Sequence, residues 1–588
     1  MPDQTHGEPG PRTIRFGVMC NGTTLQEWEA SCLRRLLAID NVAVALVIIN
    51  DQEGPRTWFD KIKQIPHQRL FFHLYRRYFI KPQACRPVDL SELFKHVPAM
   101  HCKIIKRGKF SQYFKDTDVR TIRAYKLDFI LRFAFGIIRG EILDAARYGV
   151  WSFHHDDEEK YRGGPPCFWE IYTGDMISAA MLQRLTERLD AGIILKKGFF
   201  RTVNYSYTDT IDKIYNQSIY WPAQVCIDIL NGNAAYIDDP PHPIKAPIYR
   251  DPDNIKTLLF IKKLFTNYII NKLHTWLRHD EWNIGIIHEP IHVFLNQGAQ
   301  HNINYLQHPA KSGFYADPFG IINNGKLTIL CETYDYISFK GRISALELLE
   351  MIDNKSNVSY YSETAIELPV HMSYPYVFQH EGEIYCVPET QQLHEVGLYK
   401  ANDFPRSWTK ITTLIEGFAG VDNTIFRHEG RWWLLGTDEE HYPFANLFAW
   451  YASDLLGPWH AHAGNPIKMD VRSSRPAGTP FFYNNCLYRP AQDCSRTYGE
   501  KIVLNRVVRL TPTEFKEEPT ALINPDTKGS YPDGIHTLSA VGNVTLIDGK
   551  RVRFVASVFQ HTLALALRRR LPWSSKHSGS MPKRLADD

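Results

Sequence analysis

The order of apolar and polar positions divides the chain into two textures. Ile14–Cys20 is apolar and β-branched and stops at Asn21-Gly22. Leu25–Ala38 then has helical spacing, and Val42–Asn50 is a second apolar run. Strand, turn, helix and strand in that order predict a parallel sheet with helices on its faces. Trp58–Ile80, aromatic and basic, reads as an irregular helical insertion. Cys102–Ile105 and Asp128–Phe135 read as short strands, and Ile138–Arg147 as a helix leading into Gly149–His154. Asn231–Pro247, rich in Pro, Asp and Asn, marks a boundary. Beyond it, Ile255–Leu277 has apolar residues at helical spacing with Lys and Asn between them. A connecting helix packed between domains fits that pattern, and so does a helix lying on a membrane surface.

From Trp282 short strands recur, punctuated by Asn323-Asn324-Gly325, His380-Glu381-Gly382, His428-Glu429-Gly430, Tyr483-Asn484-Asn485 and Asp548-Gly549. These turns fall 48 to 64 residues apart. A degenerate repeat of that period, with about four strands per unit, indicates a propeller of five blades. A β-solenoid or a sandwich is the alternative, but the repeat is too long and too rich in loops for either. The expected organisation is an α/β domain over residues 13–248, a helical linker over 249–281, an all-β propeller over 282–560 and a disordered basic tail over 561–588. Within that tail, Arg568-Arg569-Arg570 is a second feature suited to acidic lipid.

Composition narrows the field. With 44% hydrophobic and 22% charged residues the chain has ample core material for a soluble protein. A net charge of +4 is too small for the basic stripe of a nucleic-acid binder, so no nucleic-acid partner is expected. Ten cysteines without a Cys-x-x-Cys pair read as free thiols of a reducing compartment. Met1–Arg15 has no apolar signal segment, and the longest clean apolar run, Val42–Ile49, is too short to span a bilayer. A cytoplasmic protein without a transmembrane segment is the expectation.

The richest chemistry runs from Gly149-Val150-Trp151-Ser152-Phe153-His154-His155 to Lys160-Tyr161-Arg162-Gly163-Gly164. Leu189-Asp190-Ala191-Gly192 follows about 36 residues after His154. A His at a strand's carboxyl end with an Asp in a neighbouring loop is how an open parallel sheet builds a site. His shuttles protons near neutral pH, and a carboxylate fixes its tautomer. A lone His is more often a satisfied core residue. The whole constellation resembles the formyltransferases that use 10-formyltetrahydrofolate, with methionyl-tRNA, glycinamide-ribotide and amino-sugar branches. The resemblance implies a Rossmann-like formyltransferase domain and 10-formyltetrahydrofolate as donor substrate. It implies catalytic roles for His154, Asp190, Ser152 and Arg162, and a donor slot at Phe135, Gly136, Ile137 and Ile138 in the Phe133–Ile138 segment. Two departures stand out: Ser152 occupies the place of the family's oxyanion-donating Asn, and Asp156-Asp157-Glu158-Glu159 replaces an apolar loop. Four carboxylates there would repel an anionic acceptor and suit a cationic amine, unless the loop is simply solvated. Adjacent residues on a strand point to opposite faces, so His154 and His155 do not share an ion and no metal is expected.

In the repeat region Tyr315-Ala316-Asp317-Pro318-Phe319, Ser373-Tyr374-Pro375, Gly420-Val421-Asp422-Asn423-Thr424 and Gly534-Ile535-His536-Thr537 begin successive units. Residues there would face a central funnel, so Asp317, Asp422 and His536 should converge, with Glu389, Arg489 and Gln492 close behind. The layout resembles the five-bladed arabinanase and xylosidase-type glycoside hydrolases, with Ala477 where their acid Glu would stand. It is more similar to the N-terminal domain of plant glucosamine inositolphosphorylceramide transferases, in Ala316-Asp317-Pro318-Phe319, His371-Met372-Ser373-Tyr374-Pro375, Pro388-Glu389, Gly457-Pro458-Trp459 and Arg489-Pro490-Ala491-Gln492-Asp493. That likeness implies a sugar site at Asp317, Glu389, Asp422, Arg489, Gln492 and His536; strand-capping Asp residues are the plain alternative. Three functions compete: formyl transfer to an amino sugar or sugar-linked carrier with a glycan-binding propeller, a glycoside hydrolase or transglycosidase, and a non-catalytic glycan binder.

Overall fold

The computed structural model describes residues 12–51, 65–108, 111–188, 192–241, 246–307, 313–348 and 360–554. The chain divides into two units, Met1–Tyr268 and Ile269–Asp588.

The first unit is built on β1 (Ile14–Cys20), β2 (Val42–Asn50), β3 (Ala99–Cys102), β4 (Phe129–Arg132), β5 (Val150–His154), β6 (Ile177–Arg184) and β7 (Ile193–Arg201). Their order across the sheet is β7-β6-β5-β4-β1-β2-β3. The five strands from β5 to β3 are mutually parallel; β6 and β7 run antiparallel at one edge. Parallel register stacks one face's side chains, and Phe16, Phe129 and Trp151 form a column of rings across β1, β4 and β5 at 5.1 and 3.8 Å. The opposite face carries Met19, Ile130 and Val150, buried with Leu46 and Ile48.

Helix α1 (Glu27–Leu37) follows β1 and starts in a capping box, the Gln26 amide donating to Glu29 Oε2 at 2.8 Å. The remaining helices of eight residues or more among the described residues are α2 (Leu70–Phe79), α3 (Asp116–Ala124), α4 (Tyr207–Ser218), α5 (Trp221–Leu230) and α6 (Asn254–Leu277). The helix expected at Ile138–Arg147 is absent. Ile137–Arg139 instead pairs with Ser111–Tyr113, and a short 3₁₀ turn covers Glu141–Asp144. Gly140, at φ 81, breaks the segment between them.

Among the described residues the second unit holds five antiparallel sheets. Sheet I combines Asn304–Tyr305, His279–Ile287, Val544–Arg553 and Leu538–Val541. Sheet II is Gly313–Asn323, Lys326–Asp335, Lys340–Leu348 and Tyr360–Ile366; sheet III is Ser373–His380, Glu383–Glu389, Glu395–Asp403 and Ser407–Glu416. Sheet IV comprises Gly420–His428, Arg431–Asp438, Asn446–Ala452 and His460–Ala461, with Lys468–Met469 beside its third strand. Sheet V comprises Phe481–Tyr483, Cys486–Asp493, Lys501–Leu510 and Phe515–Ile523. Four of the expected turns open sheets II to V as two-residue hairpins with positive φ at both central residues, as at Asn324 (51°) and Gly325 (75°). The fifth expectation fails. Asp548-Gly549 lies inside the strand Val544–Arg553, and the turn is at Gly542-Asn543. The cores run between neighbouring sheets: one joins I and II, one joins II, III and IV, and one joins V and I.

Candidate functional site

The chain runs outward through β1, β2 and β3, then returns to lay β4 on the other side of β1. The strand order therefore switches between β1 and β4, and the crevice beyond the carboxyl ends of such strands is where open α/β sheets bind ligands. Here those ends deliver Cys20, Arg132 and His154. Strand alternation puts Ser152 and His154 on one face, and the parallel pairing sets Ser152 directly opposite Arg132.

That pairing supplies a residue the sequence reading missed. Arg132 donates from Nη2 and Nε to Ser152 Oγ at 2.7 and 3.1 Å, and from Nη1 to the carbonyls of Phe135 and Gly136 at 2.9 and 2.8 Å. Burial pushes its guanidinium down to about 10, which leaves it charged at neutral pH. With two donors on its oxygen, Ser152 keeps its own proton, whose partner within the protein is the Phe153 carbonyl at 3.4 Å. The available signal was an Arg closing an otherwise apolar strand, Phe129–Arg132. His154 is half-buried, with Nε2 3.5 Å from the Tyr161 carbonyl.

Other expected residues take different places. Gly136 N donates to Gln112 Oε1 at 2.7 Å, and Ile138 is buried in the core, so the polar backbone of the Phe135–Ile138 segment is largely engaged within the protein. The half-exposed rings of Phe133 and Phe153 stack nearly parallel, centroids 6.2 Å apart, at this end of the sheet. Arg162 Nη1 donates to the Ala246 carbonyl at 3.3 Å, and its backbone bridges to Ile248. Gly163 beside it, at φ 97, would place a Cβ 2.2 Å from the Tyr249 carbonyl oxygen. Asp190 lies outside the described residues.

The acidic run is not the solvated loop, or the charged fringe, that its sequence suggested. Asp156, Asp157 and Glu158 are buried. Lys197 Nζ bridges Asp157 and Glu158 at 2.9 Å each, and Asp156 accepts from Cys167 N at 2.8 Å. Burial raises both Asp156 and Glu170, and the nearby Glu170 carboxylate raises Asp156 further. His155 points into the core, stacked on Tyr215 at 3.9 Å, and burial, with His154 adding to it, lowers it to about 3. A cavity of about 530 Å³, lined by Arg123, Asp128, Arg147 and Arg184 among others, lies at the opposite, amino-terminal ends of β4 and β5.

In the second unit Asp317, Glu389, Asp422, Gln492 and His536 are all buried and joined in a polar network. His536 has Nε2 3.3 Å from Asp317 and Nδ1 2.7 Å from Asp548. Burial alone would lower His536, but Asp548 and Asp317 outweigh it and raise it. Burial lifts Asp317 to about 6, with His536 opposing. Ligand atoms of Asp317, His536 and Asp548 lie within 4.8 Å of one another, but both imidazole nitrogens already face carboxylates. Asp422 accepts from Arg475 Nε at 2.5 Å and Gln492 Nε2 at 2.7 Å, and its amide donates to Glu389 at 3.1 Å. Arg489 is drawn aside into an ion pair with Glu517 at 2.6 Å.

Asp548 and Arg475 were not expected here, the first because it was taken for a turn. The convergence has a local cause. The first strands of sheets II, III and IV each carry a register shift, at Ala316/Phe319, Ser373/Tyr376 and Val421/Thr424. Each shift holds a non-glycine residue at positive φ: Asp317 (51°), Tyr374 (42°) and Asp422 (51°). Such bulges re-aim a side chain, and strain of this kind gathers at functional positions.

The family model described as "Glucosamine inositolphosphorylceramide transferase 1, N-terminal" matches residues 303–535. Glucosamine inositolphosphorylceramide transferase 1 of Oryza sativa subsp. japonica is 34% identical over 255 residues, 41% of this chain and 34% of that protein. Methionyl-tRNA formyltransferase of Agathobacter rectalis is 25% identical over 162 residues, 26% of this chain and 51% of that protein. The chain thus spans about a third of the first relative's length and about half of the second's. Among solved structures, glycinamide ribonucleotide transformylase 1 from Symbiobacterium toebii aligns at a TM-score of 0.25 and 16% identity, over 38% of this chain and 90% of that one. A GH43 β-xylosidase/α-arabinofuranosidase from a compost metagenome aligns at 0.31 and 14%, over 42% and 92%. The chain joins a formyltransferase-like α/β unit to a sheet-rich unit.

Proposed function

We propose that the first unit transfers a formyl group from 10-formyltetrahydrofolate to an amine, that of an amino sugar or a sugar-linked carrier. The observation that carries this reading is His154 at the end of β5, next to the strand switch, with Ser152 on its face held by Arg132. The donor supplies a formyl carbon activated on N10. A carbon–nitrogen bond forms to the acceptor amine, the bond to N10 breaks, and the amine's proton ends on N10. His154 relays that proton. Ser152 donates its hydroxyl proton toward the charge gathering on the formyl oxygen, and the Arg132 guanidinium behind it reinforces the polarisation. Ser152 and Arg132 together thus serve where the related enzymes use Asn.

We read the five sheets of the second unit as the blades of a five-bladed propeller, Val544–Arg553 joining the unit's end to its beginning by pairing with His279–Ile287. Its role is to bind the glycan that carries the acceptor amine. The buried network favours binding over hydrolysis, because inversion needs two carboxyl groups opened to the substrate and Asp317 and Asp422 are each committed within the protein.

Calorimetric titration of the full chain with a stable 10-formyltetrahydrofolate analogue tests the first claim. Saturable binding kept by His154→Ala, with formylation of amino sugars lost, is the expected result. Absence of binding in the wild type refutes it.

A further inference from the structure

We infer that the first unit rests on a membrane surface carrying anionic lipid, through the face formed by α2 and the first half of α6. The inference stands apart from the formyl-transfer reading. Helix α6 buries a single stripe, Thr257, Phe260 and Leu264. Phe260 stacks on Phe168 at 4.1 Å and meets Tyr75 of α2 edge-on. A helix packed between domains would leave polar residues on the remaining arc. Here Ile255 (72% exposed), Leu258, Leu259, Phe265 (66%) and Tyr268 stand out of it.

Helix α2 lies alongside, the Phe71 amide donating to Asn254 Oδ1 at 3.0 Å and Asn254 Nδ2 donating to the His67 carbonyl at 2.9 Å. It exposes Phe71, Tyr78 and Phe79 (73%). Single exposed apolar residues need no explanation, but a run of this size on two touching helices marks a surface with an occupant.

Charge identifies the occupant. Residues 65–81 and 254–278 contain nine Lys or Arg and no Asp or Glu, and the two acids just before α6, Asp251 and Asp253, face His73 and Lys256, which leaves the patch with a cationic excess. A second copy of this chain would set those cations against their equals. An anionic lipid surface complements them, and Phe and Tyr rings suit its headgroup level. Along α6 Lys256 pairs with Asp253 and Lys263 donates to the Tyr172 carbonyl, Lys262 and Lys272 are exposed, and no helix among the described residues is long and apolar enough to cross a membrane. The helix therefore lies in the interface plane.

Flotation of the full chain with phosphatidylcholine vesicles, with and without phosphatidylserine, is the test. Binding is expected only with phosphatidylserine, and it weakens as salt rises and the Debye length shrinks. The Phe79→Asp/Phe265→Asp double variant loses it by at least about tenfold, and Lys262→Glu by about fivefold. An unchanged melting temperature and an unchanged circular-dichroism spectrum certify that each variant is folded. Should the double variant misfold, Lys262→Glu, a surface change, carries the test alone. Three results overturn the inference: no flotation with phosphatidylserine, undiminished flotation of the folded variants, or a wild-type dimer that the double variant dissolves without any vesicle binding.

Discussion

At the scale of single residues, two buried groups make separable claims. Arg132 positions Ser152 without touching the reacting atoms in the proposed scheme. Arg132→Leu is expected to lower kcat about 10²–10³-fold while the dissociation constant of the donor analogue holds, and Arg132→Lys to recover part of the loss. A fall in analogue affinity equal to the fall in rate would show that Arg132 serves binding instead. Glu29 closes the cap of α1, and burial lifts it to about 7. Its unfolded counterpart ionises near 4.5, so its contribution is complete below that pH and drains away as pH rises to about 7. Urea titrations across this range should show up to about 3 kcal/mol of decline attributable to Glu29, absent in Glu29→Gln, where the amide oxygen still accepts from Gln26. Both positions explain what sequence reading reaches. His154 and Ser152 were visible because chemistry stood at a strand end. Arg132 was not, because its role depends on which strand lies beside β5, and strand order is a long-range property.

At the scale of elements, close backbone approach and buried charge set the constraints. The loop after β5 folds inward around Lys197 and is fastened at Arg162-Gly163 to residues 246–249. Gly163→Ala should cost at least about 2 kcal/mol in denaturant unfolding, since the new methyl meets a carbonyl and the backbone is left-handed. An ordinary stability for that variant would mean the loop closes another way. Removing Asp422 strands Arg475 in the interior, and Asp422→Ala should cost about 3–5 kcal/mol. Local pattern read these elements unevenly. The two-residue turns at Asn324-Gly325 and Glu429-Gly430 were plain, since positive φ demands such residues. Asp548-Gly549 looked the same and is not a turn, because the Asp is there to face His536. The acidic run misled for a related reason: composition reports charge, and burial with Lys197 reports where it goes.

At the scale of the whole molecule, each unit owns its core clusters, and cooperativity should follow that division. Scanning calorimetry is expected to resolve two transitions, with Asp422→Ala lowering one and Gly163→Ala the other; a single transition shifted by both would refute independent units. The sheet that begins the second unit also has a consequence for its birth. Its strand His279–Ile287 pairs with Val544–Arg553, about 260 residues downstream. At the ribosome's pace of about 5–20 residues per second, the earlier strand waits roughly 10 to 50 seconds with a ladder edge unpaired. During translation that edge is open to any extended neighbour, so nascent chains of this protein need shielding until Val544–Arg553 emerges.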